Sequence, residues 1–393
     1  MVESFALRGA AMVVCAKFAK HVTQIGKVHL RLKSHKKKDL KLYKYPNNII
    51  AALNGFPRVS LLSNDTPLEN LPNLTSLLNK NTKNFTKLFI KRDDLTGLAM
   101  GGNKTRPLEF ILGEAVSKGC DQIIITGAVQ SNYCRSAAAA AAKLGIDCHI
   151  QTENRVSAMN ETYHKNGNVL LYKIFGAKVS FFPEGANKDE DAADKELIKI
   201  SKYYEGIGKK PYIINLSPNH VPIGALGYID AIREILIQCR AQNIKFDGIV
   251  TASGTASTHA GILVGLALEN LNIPVFGICV RRNKEEQKER VIKVVKKLLK
   301  LINSNITIGA EKILTDDRWL GDGYGTMSKE VLDAIKLAAQ TDAILTDPTY
   351  SGKSIAGLIK LAQQNDFKNN ANILYIHTGG HPGIFAYEAL ISN

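Results

Sequence analysis

The sequence lacks paired cysteines and long apolar runs. Its six cysteines are scattered through 393 residues, and no two of them form a C-x-x-C pair. This distribution excludes a disulfide framework and a cysteine zinc site, and it suits a reducing compartment. No apolar run reaches the roughly 20 residues that span a bilayer. The nine histidines show no metal-ligand spacing on a helix, so we predict that the protein binds no metal.

Positive charge is concentrated at the N-terminus. The formal net charge is +15, and residues 1–45, with eleven Lys and Arg against two acids, contribute +9 of it. We predict that residues 1–50 form a flexible basic extension of a cytoplasmic protein. An organelle transit peptide, with a matrix location, and an upstream start codon are the alternatives. The extension has no interleaved aromatic residues and no binding motif, so we expect neither nucleic acid nor a membrane as a partner.

Short β-rich runs alternate with helical patterns from about residue 56 onward. Many of the runs are almost continuously apolar, as at residues 123–125, which indicates strands that are covered on both faces. Alternation over this length predicts an α/β fold. The predicted strands are residues 87–91, 122–126, 148–152, 177–182, 212–216, 248–252, 275–280, 343–346 and 373–377. The predicted helices are residues 106–118, 131–144, 189–204, 223–239, 258–270, 284–302, 328–340 and 354–364.

Ligands of open α/β sheets bind beyond the carboxyl ends of the strands, so the residues that follow each strand are candidate site residues. In residues 101–106, two glycines lead to Lys104 at a predicted helix start. The helix dipole and partial burial both lower the pKa of an amine placed there. A neutral amine suits nucleophilic attack on a carbonyl group. Taken alone, a lysine after glycines is more often an ordinary surface residue.

Two further turns can bind anions through the free N–H groups of the helices that they open. Residues 126–133 follow an apolar strand and include Ser131 and Asn132, which are also preferred helix caps. Residues 251–261 are small and hydroxylic, which favours a phosphate-binding turn over a plain cap. The polar turns at residues 347–353 and 377–381 also end predicted strands. Taken singly, these two are ordinary turns.

These turns, in this order, resemble one family, the 1-aminocyclopropane-1-carboxylate deaminase/D-cysteine desulfhydrase family of pyridoxal-phosphate enzymes. The similarity covers roughly residues 55–390. The resemblance implies fold type II, the tryptophan synthase β-like fold, with two domains, mostly parallel twisted sheets and flanking helices. It also implies a homodimer. The matching segments are residues 91–95, 102–106, 130–132, 253–261, 347–353 and 378–380, with further similarity at 57–71 and 224–235.

The resemblance also implies a domain division and a cofactor site. A small domain of residues 107–216 is expected to be inserted into a large cofactor-binding domain made of residues 51–106 and 217–393. Pyridoxal 5'-phosphate is expected between them, held covalently by Lys104, with Asn132 bonded to its phenolic oxygen and Ser351 facing its pyridine nitrogen. The residues assigned to its phosphate are Thr255, Ala256, Ser257 and Thr258.

Substrate contacts follow from the same resemblance. A small amino acid is the expected substrate, and two of the residues that contact it are tyrosines at the substrate side of the cofactor. The residues assigned to substrate binding are Ser131, Asn132, Tyr133, Thr378 and Gly379. The residues assigned to catalysis are Lys104, Ser131, Tyr324 and Tyr350. Two positions depart from the family: Pro107 stands where Lys is frequent, and Tyr133 stands where His or Gln is usual.

The reaction that the resemblance implies is β-elimination from a small amino acid, most simply D-cysteine to pyruvate, sulfide and ammonia. Family members that open the cyclopropane ring resemble Tyr-Glu at positions 350–351, whereas this chain has Tyr350-Ser351. A hydroxyl gives a weaker electron sink than a carboxylate, and this sink suffices when the leaving group is a thiolate. The alternatives are cyclopropane deamination, sulfonate elimination from L-cysteate and racemisation. An alternative of another class is a non-catalytic or nucleic-acid-associated protein that acts through the basic head.

Overall fold

The structure, a computed structural model, describes residues 43–80, 85–156, 159–183, 190–364 and 366–392. Most of the predicted basic extension, and with it any role in targeting or nucleic-acid binding, lies outside the described residues. The strands are β1 (Leu68–Asn70), β2 (Thr86–Lys91), β3 (Gln122–Ala128), β4 (Asp147–Glu153), β5 (Lys178–Phe182), β6 (Pro211–Ile214), β7 (Gly248–Ser253), β8 (Val275–Cys279), β9 (Ile313–Asp316) and β10 (Ala371–Ile376).

Helices connect most of these strands, as the alternating pattern predicts. Among the described residues they are α1 (Asn47–Leu53), α2 (Pro72–Asn79), α3 (Thr105–Ser117), α4 (Asn132–Leu144), α5 (Glu161–Lys165), α6 (Asn168–Ile174), α7 (Glu190–Gly206), α8 (Leu226–Gln242), α9 (Ser257–Leu268), α10 (Lys284–Leu301), α11 (Lys329–Asp342), α12 (Ser351–Gln363), α13 (His381–Ala386) and α14 (Glu388–Ile391). In the described part of the chain, no helix is both long and apolar enough to cross a membrane.

The strands form two sheets. The six-stranded sheet has the order β1-β2-β10-β7-β8-β9 and is parallel except for the edge strand β1, which runs antiparallel to β2. The four-stranded sheet has the order β5-β4-β3-β6 and is parallel throughout. This architecture confirms the predicted α/β class with mostly parallel sheets. The four-stranded sheet lies within residues 122–214, inside the predicted small domain, whose boundaries stay a prediction.

Apolar residues of the central strands explain why both faces of each sheet are covered. All seven residues of β3 are buried, and such a strand needs a helix layer on either side. On one side of it the alanines of α4 pack into a core with the isoleucines of the sheet, because a side chain of one carbon lets a helix lie close to a sheet. The six-stranded sheet is likewise packed between two clusters of apolar side chains.

The predicted elements differ from the observed ones in several places. The short helices α1, α2, α5, α6, α13 and α14 were not predicted. Residues 343–346 do not form a strand, because Ala343 takes a left-handed conformation (φ 56°) that ends α11 and starts a tight return of the chain. The short strands β1 and β9 were not predicted, since each has only three or four residues. Within residues 43–50, which end the predicted extension, Tyr43 and Ile49 are buried, and Phe246 N–H donates to the Tyr43 hydroxyl at 2.8 Å.

Candidate active site

One cleft collects residues that follow strands of both sheets. We call it the inner cleft, and its lining includes the ends of β3 and β7 and the turn before α3. No carboxylate is among the described residues that line it. The residues are Asn103, Lys104, Gly127, Ala128, Ser131, Asn132, Tyr133, Arg155, Leu216, Ala252, Ser253, Gly254, Thr255, Ala256, Thr258, His259, Tyr324, Tyr350 and Thr378.

Lys104 lies at the start of α3, deep in the protein and with part of its side chain open to the cleft. Its ammonium group lies 5.4 Å from the centre of the Tyr133 ring. Burial lowers the pKa of Lys104 from 10.5 to about 8. The described residues supply no ion pair that would reverse this shift, so an appreciable fraction of the amine is neutral just above neutral pH.

A glycine turn carries the chain into Lys104, and buried groups hold that turn. Gly101 is needed there because its φ is +70° and a Cβ would lie 1.8 Å from the carbonyl oxygen of Asp94. Arg135 of α4 donates to the carbonyl oxygen of Gly101 at 2.8 Å. Two residues after Lys104, Arg106 forms buried ion pairs with Asp93 (2.8 Å) and Glu234 (2.9 Å). Buried hydrogen bonds and ion pairs thus hold the chain both before and after Lys104.

Ser131 and Asn132 open α4 beside the lysine. The Ser131 hydroxyl accepts the N–H of Cys134 at 3.2 Å, so the residue is the helix cap that the sequence suggests. Its hydroxyl proton is not used in this bond. The Asn132 side-chain oxygen accepts from the Asn168 amide at 3.0 Å, which leaves the NH₂ group of Asn132 as a donor in the cleft. Ser131 and Asn132 can therefore cap α4 and also offer hydrogen-bond donors to a ligand in the cleft.

The turn between β7 and α9 is built to bind an anion. Ala256 has φ 76°, which is unusual for a residue with a side chain, and it stands at the N-terminus of α9 with no side-chain cap. The first N–H groups of this twelve-residue helix therefore have no capping side chain, and the helix dipole adds a positive field there. Asn103, next to Lys104, donates to the Thr258 hydroxyl at 3.0 Å and ties this turn to the lysine turn.

Two tyrosines and a threonine complete the opposite wall. The hydroxyl groups of Tyr324 and Tyr350 lie 2.6 Å apart, and burial raises the pKa of both. Lys353, which is buried, donates to the carbonyl oxygens of Leu320 and Gly323 at 2.7 Å and so supports the turn that carries Tyr324. The Thr378 hydroxyl is buried at the cleft without a hydrogen-bond partner among the described residues.

The structure does not bring three of the predicted site residues to the inner cleft. Ser257 lines a neighbouring cavity instead. Gly379 is buried, and a Cβ there would lie 2.6 Å from Cα of Gly102, so the position serves close packing of two turns. Ser351 is fully buried. Its hydroxyl oxygen accepts the N–H of Asp347 at 2.8 Å, and its single proton has two acceptors within reach, the Asp347 carboxylate at 2.6 Å and the carbonyl oxygen of Gly379 at 2.8 Å. The expected contact of Ser351 with the pyridine nitrogen of the cofactor stays a prediction.

Arg155 is the main residue that the sequence reading missed. It lines the inner cleft and follows β4 by two residues. Its position just beyond the carboxyl end of a strand could have indicated a site residue. A single arginine in a polar stretch, however, matches no binding or catalytic motif. Its guanidinium binds the buried Glu153 carboxylate through Nε and Nη2, both at 2.8 Å. Burial alone lowers the pKa of Arg155, but these bonds outweigh it and raise that pKa.

Comparisons with known proteins agree with this geometry. The sequence profile of the family described as pyridoxal-phosphate dependent enzyme matches residues 59–379. The chain belongs to this family. It is 39% identical over 337 residues to a D-cysteine desulfhydrase of Klebsiella pneumoniae (strain 342), a match that covers 86% of this chain and 98% of that protein. Both matches confirm the resemblance to the 1-aminocyclopropane-1-carboxylate deaminase/D-cysteine desulfhydrase family.

Solved structures place the fold in the same group. The crystal structure of an ACC deaminase homologue superposes with a TM-score of 0.76 at 35% identity and covers 88% of this chain and 98% of its own. An O-ureido-L-serine synthase mutant with bound O-ureido-L-serine shares the fold with a TM-score of 0.58 at 15% identity over 86% of this chain and 94% of its own. The predicted fold, enzyme class and cofactor are therefore confirmed.

The inner cleft fits pyridoxal phosphate. Three features of the described residues are not satisfied by the protein alone: a buried lysine with a lowered pKa, an uncapped helix N-terminus at Ala256 and a Thr378 hydroxyl without a partner. The first suits a carbonyl carbon, the second a phosphate and the third a polar ring substituent. Each of these groups belongs to this one cofactor.

Proposed function

We propose that the enzyme catalyses β-elimination from a small amino acid, and that D-cysteine is converted to pyruvate, sulfide and ammonia. The observation that carries the proposal is the inner cleft itself. Its only strongly basic group with a lowered pKa is Lys104, and no described carboxylate lines the cleft to compete for a proton. The 39% identity to a D-cysteine desulfhydrase along almost its whole length supports the substrate.

The cofactor would be held by residues at both ends of the cleft. Lys104 would bind it covalently, Asn132 would donate to it through its NH₂ group, and the turn at Thr255, Ala256 and Thr258 would bind its phosphate. When bound, pyridoxal phosphate withdraws electrons from the α-carbon of the amino acid, so that a proton and a β-substituent can leave. Ser257 takes part through its backbone N–H at the first position of α9 rather than through its side chain.

The proton transfers are assigned to groups of the chain. The Lys104 amine takes the α-proton, because a pKa of about 8 leaves much of it neutral at a slightly alkaline pH. The Ser131 hydroxyl keeps its proton free, because its oxygen serves the helix cap, and it can donate to the substrate carboxylate. Tyr324 and Tyr350 share one hydrogen bond, so one hydroxyl proton of the pair remains available to the substrate.

Cyclopropane deamination is the weaker reading of the same site. Ring opening was expected to need a carboxylate at position 351, and this chain has a fully buried serine there. The nearest described carboxylate, Asp347, accepts N–H groups of residues 349, 350 and 351 in addition to the Ser351 hydroxyl. Asp347 therefore stabilises the turn before α12.

The experiment is a side-by-side measurement of pyruvate, sulfide and ammonia from four amino acids. These are D-cysteine, L-cysteine, L-cysteate and 1-aminocyclopropane-1-carboxylate. The proposal expects the highest kcat/KM for D-cysteine, with equal amounts of pyruvate and sulfide. Formation of 2-oxobutanoate from the cyclopropane amino acid at a higher kcat/KM would contradict it.

We also propose three features of the organisation of the protein. The enzyme is a cytoplasmic homodimer, in line with the family resemblance. Its small domain comprises residues 107–216, because the strands of the four-stranded sheet all fall within that range. Light scattering of the full chain tests the dimer, and limited proteolysis near residues 106 and 217 tests the division.

A further inference from the structure

Arginines line a second cavity that adjoins the inner cleft. We call this cavity the outer cleft, and it shares six residues with the inner cleft: Arg155, Leu216, Gly254, Thr255, Tyr324 and Tyr350. Four arginines line it against two described carboxylates, one of which is the Glu153 that Arg155 binds. The arginines are Arg155, Arg281, Arg282 and Arg290, and the carboxylates are Glu153 and Asp194.

Two of these arginines support the anion-binding turn. Arg290 donates to the carbonyl oxygens of Leu216 at 2.9 Å and of Thr255 at 3.4 Å. Arg282 donates to the carbonyl oxygen of Gly254 at 3.5 Å. These contacts with backbone carbonyl oxygens hold the anion-binding turn in place.

Arg155 differs because it reaches the inner cleft. Only 12% of its side chain is exposed, and the buried Glu153 holds it in a fixed plane through Nε and Nη2. Within the described part of the chain, Nη1 has no hydrogen-bond partner. The positive charge of Arg155 also acts on the Tyr324 and Tyr350 hydroxyls, which places it on the substrate side. A fixed guanidinium edge with spare donors is a binding group for an oxyanion.

We propose that Arg155 is a specificity residue that binds a negatively charged β-substituent of the amino-acid substrate. The substrate class is an α-amino acid with a sulfonate, sulfate or phosphate on its β-carbon, and the proposal rests on the proposed β-elimination. In that reaction the α-proton goes to Lys104 and the Cβ–X bond breaks with its electron pair leaving on X. The β-carbon then takes up a proton to become a methyl group, and water replaces the nitrogen at the α-carbon, giving pyruvate and ammonium.

The competing role for Arg155 is binding of the α-carboxylate, which every amino-acid substrate carries. The two roles differ in one measurable ratio. If Arg155 binds the β-substituent, its loss weakens only the charged substrates. If it binds the α-carboxylate, its loss weakens charged and neutral substrates equally.

The test uses the holoenzyme and pyruvate formation from both enantiomers of cysteate, O-phosphoserine and β-chloroalanine, whose β-substituent is neutral. For Arg155→Gln, we expect kcat/KM to fall by about tenfold or more for the charged substrates, mainly through KM, since one charge-assisted contact is lost. For β-chloroalanine we expect a change of less than about threefold. An equal fall for both kinds of substrate, or no change for either, would overturn the proposal.

Two variants separate recognition from folding. Arg155→Gln leaves Glu153 buried without its partner, so the double variant E153Q/R155Q removes the unpaired charge and restores stability. The double variant should still discriminate against charged substrates, and recovery of the parent's ratio in it would refute the assignment. Arg318→Gln is the matched control, because Arg318 forms the same i, i−2 pair with Asp316 but is 45% exposed and outside both clefts.

Binding of 3-sulfopropanoate to the holoenzyme gives a readout that needs no turnover, since this ligand has no amine to react. Calorimetry should show binding to the parent and at least about tenfold weaker binding to Arg155→Gln. Absence of binding to the parent would overturn the proposal. If 3-sulfopropanoate binding depends on Arg155 but no amino acid yields pyruvate, the proposed β-elimination is wrong and the proposed anion site at Arg155 is still supported.

Discussion

The ammonium group of Lys104 lies 5.4 Å from the centre of the Tyr133 ring, and no described carboxylate lines the cleft around it. The aromatic face favours the charged amine only weakly compared with an ion pair. Desolvation therefore decides the outcome and lowers the pKa of Lys104 to about 8. Tyr133 thus contacts the amine without an ion pair and leaves it free for covalent chemistry.

The lowered pKa predicts how Lys104 affects stability. The unfolded chain keeps the lysine proton up to about pH 10.5 and the folded cofactor-free protein only up to about pH 8. The free energy of unfolding therefore increases as the pH rises from about 8 to about 10.5, because the folded protein loses the lysine proton first. Below pH 8 the buried charge of Lys104 destabilises the fold by on the order of 3 kcal/mol. Lys104→Met should make the cofactor-free protein more stable at pH 7, and urea unfolding measures this.

The matched measurement is the same comparison at pH 10. The gain in unfolding free energy from Lys104→Met should shrink there. Lys104 is then neutral in the folded protein, and the pH lies so close to the unfolded-state pKa of about 10.5 that losing the proton costs little free energy. A variant that is less stable than its parent at pH 7, or a gain that stays constant with pH, would show that the amine is not desolvated.

The hydroxyl groups of Tyr324 and Tyr350 are expected to act as one unit. Each single replacement by phenylalanine removes their shared 2.6 Å hydrogen bond and should lower kcat/KM for elimination by roughly tenfold. The double variant should lose far less than the product of the two single effects, since coupled groups are not additive. Steady-state kinetics on the three variants checks this, and fully multiplicative losses would mean that the tyrosines act separately.

A glutamate at position 351 is expected to destabilise the protein rather than to convert its activity. Ser351 is fully buried and its hydroxyl already bonds to the Asp347 carboxylate. Ser351→Glu would place a second carboxylate beside that one, at a cost of several kcal/mol unless one of them is protonated. Denaturant unfolding should show a large loss for Ser351→Glu and little change for the exposed control Ser63→Glu; a stable variant with new ring-opening activity would contradict this.

Arg106 is expected to contribute to folding through buried charge. Arg106→Met leaves the Asp93 carboxylate without its arginine in the interior, and we expect a loss of about 3–5 kcal/mol in the free energy of unfolding. Arg318→Met breaks an exposed pair with Asp316 and should cost less than about 1 kcal/mol. Equal losses of unfolding free energy in urea for the two variants would mean that the buried ion pairs of Arg106 stabilise the protein no more than an exposed pair does.

The sequence was sufficient for the fold because apolar runs such as residues 123–125 can only be central strands, and helical patterns separate them. It was sufficient to single out Lys104, Ser131 and Asn132 as residues of one cleft, because each lies at a helix start after a predicted strand. Their roles stay predictions. Arg155 could not be predicted, since its importance comes from Glu153 fixing its plane at a cleft that only the fold creates. The contacts of the Ser351 hydroxyl with Asp347 and Gly379 could not be predicted for a related reason, because they depend on the packing of two turns.

The most direct test of the account is the identity of the lysine that carries the cofactor. The holoenzyme is reduced with borohydride, digested and analysed by mass spectrometry for the pyridoxyl-phosphate adduct. The account predicts the adduct on Lys104, with no adduct and no visible absorbance after reconstitution in Lys104→Met. An adduct on another lysine, or an unchanged visible band in the Lys104→Met variant, would contradict it.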